Sequence, residues 1–461
     1  LQCRSVPAFG EREDTQKHAD PKIGGGRQEH LPRIYRFLQL QGETARHAAQ
    51  TEKGGVCTAV HSVSETDKSD KRCATFNLAY LLYYLISNLL INMVKQEKKG
   101  ETKNQHYVPQ FYQRYFSIDN KNIGTYVISC SKNILSAPIK NQSSGDYFYS
   151  ENMEIEHALG GMEGLAKSVI DKIIANPKGD LTKEEQYTLY SFTMMQEGRT
   201  LAHVNLIQEH ADTVLRNLMK KQIELLRNNG KASEVEGITE EVLDRCSFNL
   251  KQPGMFALGT QAQLINTCID LKYKVLINNT KIPFITSNNP AAIYDQFMER
   301  MGNQIYALGS RGLQIYLPLT PTLGVMFYDS KCYKLGDRKK TYVEILNDKD
   351  IKELNKLTAS NAENIIYYKP KSVTENELEQ FAVQNKKFKP AARVESYPEI
   401  KTSNGVIVGA YNISMFCRLT LSFVKELPRY KSIRPQDYDP TQHRLREIAY
   451  LKDDIIKMSS K

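Results

Sequence analysis

The chain has 461 residues, of which 41% are hydrophobic and 25% charged, and its formal net charge is +10. These proportions are ordinary for a globular protein and exclude a wholly disordered chain. The positive charge is spread along the sequence, which suits a phosphate-bearing ligand but is also typical of a solvated surface. The eight cysteines are scattered, with none within four residues of another. Zinc-ribbon and redox spacings are therefore excluded, and we expect isolated thiols in a reducing cytosol.

The first 92 residues differ in character from the rest of the chain. They begin with Leu1 and contain no methionine. We therefore interpret residues 1–92 as a non-native or disordered extension and place the start of the protein proper at Met93. A competing interpretation is that the uncharged residues 76–92 form a short membrane helix. A start at Met93 predicts a cytoplasmic protein with no membrane segment.

The next part of the sequence has helical signals. Pro109 at a first helical position predicts a short helix over residues 110–116, followed by a strand over 126–130 and a helix over 154–176. Thr182 and Glu185 form a capping-box pattern, which predicts one long helix running to Asn228. Further helices are predicted from Thr239 and over residues 252–270.

After about Lys272 the apolar period changes from 3.6 towards 2. Strands are predicted over residues 273–277, 282–286, 304–308, 313–317 and 324–328. A helix over 348–362 and a strand over 365–368 complete a core domain of residues 93–370. Helices followed by strands predict an α+β fold, with a helical N-terminal half packed on a mostly antiparallel sheet. Residues 371–461 are predicted to add a helix, a hairpin and a basic tail.

Several segments together resemble one known family. They are the opening Asn104-Gln105-His106-Tyr107-Val108-Pro109, Gln196 with Arg199, and the segments 283–290 and 317–321. In order and spacing they resemble an uncharacterised microbial family, domain of unknown function 4238, across roughly residues 104–370. The resemblance implies a prokaryotic protein and names no reaction. It also implies an aspartate where this chain has Asn288, which puts activity in doubt if that carboxylate is an essential base or metal ligand.

The opening segment supplies the first candidate site. His106 is a candidate general acid or base, because an imidazole titrates near neutral pH. Asn104 and Gln105 precede it as candidate substrate-binding residues. The alternative is that His106 hydrogen-bonds within the fold and fixes the start of the first helix.

A second candidate site lies on the predicted long helix. Gln196, Arg199 and His203 fall at i, i+3 and i+7, which places them on one stripe. Arg199 is suited to gripping a phosphate or carboxylate with two donors, and Gln196 is a candidate binding residue. The alternative is a salt bridge within the molecule, for instance to Glu156, which is itself a candidate catalytic residue.

The third candidate site is the polar turn after residues 283–286. Ser287 is a candidate catalytic residue there, and Asn288 and Asn289 are candidate substrate-binding residues. Hydroxyl, amide and backbone N–H groups in such a turn can face an anion. The alternative is an Asx-type turn that satisfies its own backbone.

Missing motifs restrict the function. The sequence has no phosphate-binding P-loop, dinucleotide fingerprint, zinc-protease helix motif or serine-hydrolase elbow. No metal site is predicted, and the cofactor stays unknown. We predict a hydrolase or nuclease for a phosphate-containing substrate, with nucleic acid as one candidate, His106 as acid/base and Arg199 as anion clamp. The alternative is a non-enzymatic binding module for an anionic ligand or a protein partner.

Overall fold

The computed structural model describes residues 104–149, 153–390, 392–402, 405–439 and 444. The predicted start at Met93 and the competing membrane helix lie outside these residues. Within the described ranges, no helix has the length and apolar content needed to cross a bilayer. Residues 218–247 belong to one compact unit and the other described residues to a second. All the sites discussed below lie in the second unit.

The helices begin largely where the sequence provides caps. The Thr182 hydroxyl accepts a hydrogen bond from the Glu185 amide, and the Glu185 carboxylate accepts one from the Thr182 amide. Thr374 and Glu377 form a second capping box. Among the described residues the α-helices are α1 (Gln110–Arg114), α2 (Met153–Ala175), α3 (Lys183–Gly198), α4 (Leu201–Asn228), α5 (Glu240–Asp244), α6 (Pro253–Leu264), α7 (Gln296–Arg300), α8 (Asp348–Asn361), α9 (Glu375–Phe388) and α10 (Pro428–Lys431).

The strands lie on both sides of the helical stretch, and most of their pairings are antiparallel. They are β1 (Asn104–His106), β2 (Asn122–Val127), β3 (Lys132–Pro138), β4 (Ser144–Asp146), β5 (Lys272–Asn278), β6 (Thr286–Ser287), β7 (Ala292–Tyr294), β8 (Gln314–Thr320), β9 (Leu323–Tyr328), β10 (Tyr333–Leu335), β11 (Tyr342–Ile345), β12 (Ile365–Tyr368), β13 (Val394–Ser396), β14 (Ile400–Thr402), β15 (Gly405–Ile407), β16 (Ala410–Asn412) and β17 (Val424–Glu426).

A five-stranded sheet with the order β11-β5-β9-β8-β7 forms the centre of the second unit. Only the β11–β5 pairing in it is parallel. Alternate side chains enter two separate cores: Ile315 and Leu317 pack with residues of α2 and α3, whereas Tyr316 packs with residues of α8. Both faces of the sheet are therefore buried, and the predicted α+β class is confirmed.

A four-stranded sheet with the order β3-β2-β12-β6 brings distant parts of the chain together. In β12, Ile366 pairs with Ser287 of β6 and with Tyr126 of β2. Side chains of this sheet pack with α9 through Leu378 and Phe381. The sheet thus places the polar turn after β6 beside the end of α8.

The structure differs from the sequence-based prediction at four places. The long helix predicted to run to Asn228 is divided into α3 and α4, with Arg199 and Thr200 between them. Residues 304–308 form a loop instead of the predicted strand, and residues 128–130 form a 3-10 turn after β2. Of residues 282–286, only Thr286 belongs to a strand. Apolar runs predict burial in these segments, but they do not provide a pairing strand.

Candidate functional site

The break between α3 and α4 controls where two candidate side chains lie. Gly198 faces α6, where an added Cβ atom would lie 2.2 Å from Cγ of Gln261. Thr200 then starts α4, because its hydroxyl accepts a hydrogen bond from the His203 amide at 3.4 Å. Arg199 and His203 therefore do not share a continuous helical stripe, which corrects the stripe predicted from their spacing.

Arg199 is the centre of a buried cluster that we call the Arg199 cluster, formed with Glu163 and Tyr149. Its side chain is 2% exposed, and Nη1 lies 2.8 Å from Oε1 of Glu163. Nε donates to the Tyr149 hydroxyl at 3.1 Å, and Nη2 donates to the His106 carbonyl at 2.7 Å. The guanidinium is thus bound on three sides by the fold. Glu156, the ion-pair partner suggested by the sequence, lies half-buried on α2.

His106 lies on β1, and its ring contacts the backbone. Nε2 is 3.2 Å from the Lys140 carbonyl, which also accepts a 3.4 Å hydrogen bond from Asn104 Nδ2. Burial lowers the pKa of His106, although the Lys140 carbonyl and Glu163 oppose this change. The imidazole therefore favours its neutral form at lower pH than an exposed histidine would.

The two candidate glutamines also contact the backbone. Gln105 is buried, and its Oε1 accepts a 2.8 Å hydrogen bond from the Tyr149 amide. Gln196 is fully buried, and its Nε2 donates to the Tyr107 carbonyl at 2.8 Å. These contacts tie the opening segment to α3 and to the Arg199 cluster.

The polar turn after β6 satisfies much of its own backbone. The Ser287 hydroxyl donates to the Asn289 carbonyl at 2.8 Å and accepts from the Asn289 amide at 3.1 Å. Asn289 Nδ2 donates to the Asn361 carbonyl at 2.9 Å, while its Oδ1 accepts from the Thr200 hydroxyl at 3.0 Å. The turn is therefore joined both to the end of α8 and to the break between α3 and α4.

Asn288 has a backbone-capping position. Its Oδ1 accepts from three successive amides, those of Glu363, Asn364 and Ile365, at 3.1, 3.3 and 3.2 Å. A carboxylate oxygen in the same place would accept the same three bonds, and such bonds stabilise its charged form. The aspartate that the family resemblance implies at this position would therefore have a structural role, in addition to any chemical one.

A cavity of about 940 Å³ opens beside these segments. Its wall is mostly apolar and comes from four parts of the chain: residues 197–206, 289–293, 303–310 and 389–415, with smaller contributions from elsewhere. Of the residues that the sequence analysis places in candidate sites, Asn289 and His203 line this cavity. Cavities of this size and character are typical of small-molecule sites.

His203 and Glu197 form an acid–base pair in the cavity wall. His203 Nδ1 lies 3.3 Å from Glu197 Oε1, and the two side chains are 13% and 19% exposed. Both ring nitrogens are covered, and neither has an aligned hydrogen-bond partner among the described residues. Burial lowers the pKa of His203, but the Glu197 carboxylate raises it more, so the net direction is upward. Glu197 and His203 are six residues apart, a spacing that would not bring them together on one continuous helix. The helix break brings them together, and the sequence alone does not indicate it.

A chain of ion pairs lies on another side of the cavity. Lys389 Nζ is 2.7 Å from Glu363 Oε2, and Arg393 Nη1 is 3.4 Å from the same oxygen. Arg393 also binds both carboxylate oxygens of Glu209. Burial raises the pKa of Glu363, but Lys389 and Arg393 lower it more, and the carboxylate is ionised at neutral pH. The two cations are thus balanced by two carboxylates.

Arg444 forms hydrogen bonds to the backbone of the loop over residues 303–310. This fully buried side chain donates to the carbonyls of Leu308 and Ser310, the latter at 2.8 Å. Its Nη1 lies 2.5 Å from Oδ1 of Asp270. An arginine from the far end of the chain therefore helps to hold, as a loop, a segment predicted to be a strand.

No group of three or more histidine, cysteine or acidic side chains in the described residues is placed to hold a metal ion.

A family model described as a protein of unknown function, DUF4238, matches residues 104–372, more than half of the chain. Neither the comparison with curated proteins nor the comparison with solved structures gives a match.

Proposed function

The chain belongs to the DUF4238 family, whose function is unknown, and from the geometry of its cavity we propose that it binds a small molecule. The observation that carries this proposal is a mostly apolar cavity of about 940 Å³ with a few polar groups converging on it. This combination is the usual character of a ligand site. The ligand accordingly has an apolar body and a smaller polar part, the latter directed at His203, Asn361 or Lys389.

Ligand-induced stabilisation tests this proposal. The full chain is heated with members of a chemically diverse small-molecule library, and a ligand at 100 times its Kd adds roughly 2.7 kcal/mol of stability. Ala202→Trp places an indole in the cavity and is expected to abolish the thermal shift, because Ala202 lines the wall. Ala232→Trp is the matched control, since Ala232 is exposed and does not line the cavity. Equal shifts in the two variants, or no shift in the wild-type protein, would contradict the proposal.

The second candidate function is the hydrolase or nuclease predicted from the sequence. It is favoured by the imidazole of His203, which lies 3.3 Å from a carboxylate at the cavity wall. In this version Glu197 orients the ring, and His203 accepts a proton from the attacking water and returns it to the leaving group. Since both ring nitrogens are covered, the side chain must turn towards the cavity before it can act.

The hydrolase proposal offers two acid/base candidates, His106 and His203, and variants distinguish them. The full chain is incubated with RNA, DNA, nucleotides and phosphate esters, and product formation is compared for His106→Gln and His203→Gln. Loss of turnover in His203→Gln alone would assign the acid/base role to the cavity. Loss in His106→Gln alone would support the sequence-based assignment with Arg199 as clamp. No turnover in the wild-type protein would favour binding without catalysis.

The phosphate-containing substrate belongs to this second proposal. Lys389 and Arg393 supply positive charge to the wall, but both already contact Glu363. The proposed location in a reducing cytosol is supported by Cys268, Cys332 and Cys417, which are buried as thiols.

A further inference from the structure

The cavity wall has two origins along the chain. His203, Asn289 and the loop over 303–310 lie inside the family-matched residues 104–372. The wall formed by residues 389–415, together with Tyr438, lies beyond that match. One part of the cavity wall is therefore supplied by a segment outside the family region.

An aromatic pair is the main feature of this second wall. The rings of Tyr397 and Tyr411 have centroids 4.9 Å apart at an interplanar angle of 52°. Tyr397 is 48% exposed although it lines the cavity. The ring contacts Tyr411, and the exposed part of the side chain is available for another planar group.

The pair is fixed on a two-stranded β-ribbon of β13 with β16, residues 394–397 and 409–412, which we call the C-terminal ribbon. Tyr411 pairs with Glu395 across the ribbon and donates its hydroxyl to the Glu395 carboxylate at 2.7 Å. The Tyr397 amide donates to the Gly409 carbonyl at 2.9 Å. The backbone beside both rings is thus hydrogen-bonded.

The C-terminal ribbon is also attached to α4. Asn217 Nδ2 donates to Ser396 Oγ at 2.8 Å, and His210 Nδ1 lies 3.1 Å from Asn412 Oδ1. These contacts hold the ribbon in place without using the tyrosine rings. A ligand therefore meets an aromatic surface that is already ordered, which reduces the entropy lost on binding.

Charge gives a weaker basis for recognition in this part of the wall. Arg393 contacts Glu209 and Glu363, and Lys389 contacts Glu363. An anion would have to compete with these carboxylates for the cations. These carboxylates do not compete with a ligand ring for Tyr397, because a ring stacks on the exposed tyrosine through apolar contact.

We propose that the ligand of the cavity carries a planar aromatic ring, which stacks on Tyr397 of the C-terminal ribbon. This inference rests on the proposed function, since it names the ligand class of the same cavity. The family region supplies His203 and Glu197, and the C-terminal ribbon selects the ligand. Ligand preference is then a property of residues 389–415, and the family core is compatible with different ligands.

A matched pair of probes tests the aromatic preference. 2-Naphthylmethanol is planar, and decahydro-2-naphthylmethanol has the same carbon skeleton in saturated form. Their dissociation constants for the full chain are measured by calorimetry. We expect the wild-type protein to bind the naphthyl probe about fivefold more tightly than the saturated one. Tyr397→Leu should remove this preference, and Tyr397→Phe should retain it.

Two further variants locate the effect. Tyr187→Leu is the matched control, because Tyr187 is 45% exposed and does not line the cavity, and it should bind as the wild type does. Ala202→Trp should bind neither probe. Equal affinities of the two probes in the wild type, or a preference that persists in Tyr397→Leu, would overturn the aromatic inference and leave the cavity proposal standing. If the wild type binds neither probe, or Ala202→Trp still binds the naphthyl probe, both proposals fail.

Discussion

The Arg199 cluster and the cavity both begin at the break between α3 and α4, yet they use polar side chains in opposite ways. In the Arg199 cluster the guanidinium contacts Glu163, Tyr149 and the His106 carbonyl, and it is nearly inaccessible. In the cavity wall the His203 ring has a carboxylate neighbour but no aligned hydrogen bond to any residue that the structure describes. The polar residues of the Arg199 cluster are therefore bound to one another and to the backbone. The cavity wall is mostly apolar, has few polar residues and surrounds open space.

The largest expected effect tests whether the Arg199 cluster is structural. Arg199→Met keeps an apolar stem but leaves Glu163, Tyr149 and the His106 carbonyl without their donor. We expect the free energy of unfolding in urea to fall by about 3 kcal/mol. Arg434→Met is the control, because Arg434 pairs with Asp437 on the surface, with 68% and 46% of the side chains exposed. Its loss should stay below about 1 kcal/mol. A similarly small loss for Arg199→Met, accompanied by weaker ligand binding, would support the anion-clamp role.

The second prediction concerns the helix break that separates the two regions. Gly198→Ala would bring a Cβ atom to 2.2 Å from Gln261 Cγ, so α3 and α6 must move apart. We expect a loss of about 2 kcal/mol in unfolding free energy. Gly259→Ala in α6 is the matched control, because its Cβ would meet nothing within 4 Å. The control should be unchanged or stabilised by up to about 1 kcal/mol. Equal stabilities would show that the break does not depend on this close approach.

The third prediction tests whether Asn288 has a structural role beside the cavity. Asn288→Asp keeps an oxygen for the three amides of residues 363–365 and should change the unfolding free energy by less than about 1 kcal/mol. Asn288→Leu removes the acceptor and should cost about 2 kcal/mol. If Asn288→Asp gains turnover on any phosphate ester, the carboxylate has a chemical role that the amide lacks.

The smallest expected effect is a difference in pH dependence between His203 in the cavity wall and His106 beside the Arg199 cluster. Folding raises the pKa of His203 from its ordinary 6.5, so its contribution to stability is present below pH 6.5 and is lost as pH rises through the folded pKa. Folding lowers the pKa of His106, so its contribution is present above pH 6.5 and is lost as pH falls through the folded pKa. Imidazole proton shifts in NMR, assigned with His106→Gln and His203→Gln, should show His203 titrating above His106. The reverse order would contradict the surroundings described for both rings.

Local signals in the sequence predict much of the fold. The capping box at Thr182, the helix predicted over residues 154–176 and the strands on either side of Pro321 all depend on neighbouring residues, and the structure places them close to their predicted bounds. The helix break is different, because it depends on Gly198 approaching Gln261, a contact across 63 residues of chain. The loop over 303–310 depends on Arg444, which is more distant still.

The candidate site is harder to predict from the sequence than the fold is, because it too depends on contacts between residues that are distant along the chain. His106, Arg199 and Ser287 stand in polar runs, and such runs attract attention whether they bind a ligand or their own backbone. The cavity wall instead combines Glu197 and His203 with Tyr397 and Tyr411, which lie about 200 residues further along the chain. Only the folded C-terminal ribbon brings these residues to one cavity.

The doubly buried central sheet has a consequence for how relatives of this chain diverge. Each residue of β8 and β9 is buried, whereas β3 has buried, half-buried and exposed positions. Strands with one solvated face accept polar replacements at every second position, but strands covered on both sides accept them at neither. Substitutions at the apolar positions of β8 and β9 should therefore be confined to exchanges among apolar residues, and an alignment of relatives would show no two-residue rhythm there. Distant members could keep this sheet while the C-terminal ribbon changes freely.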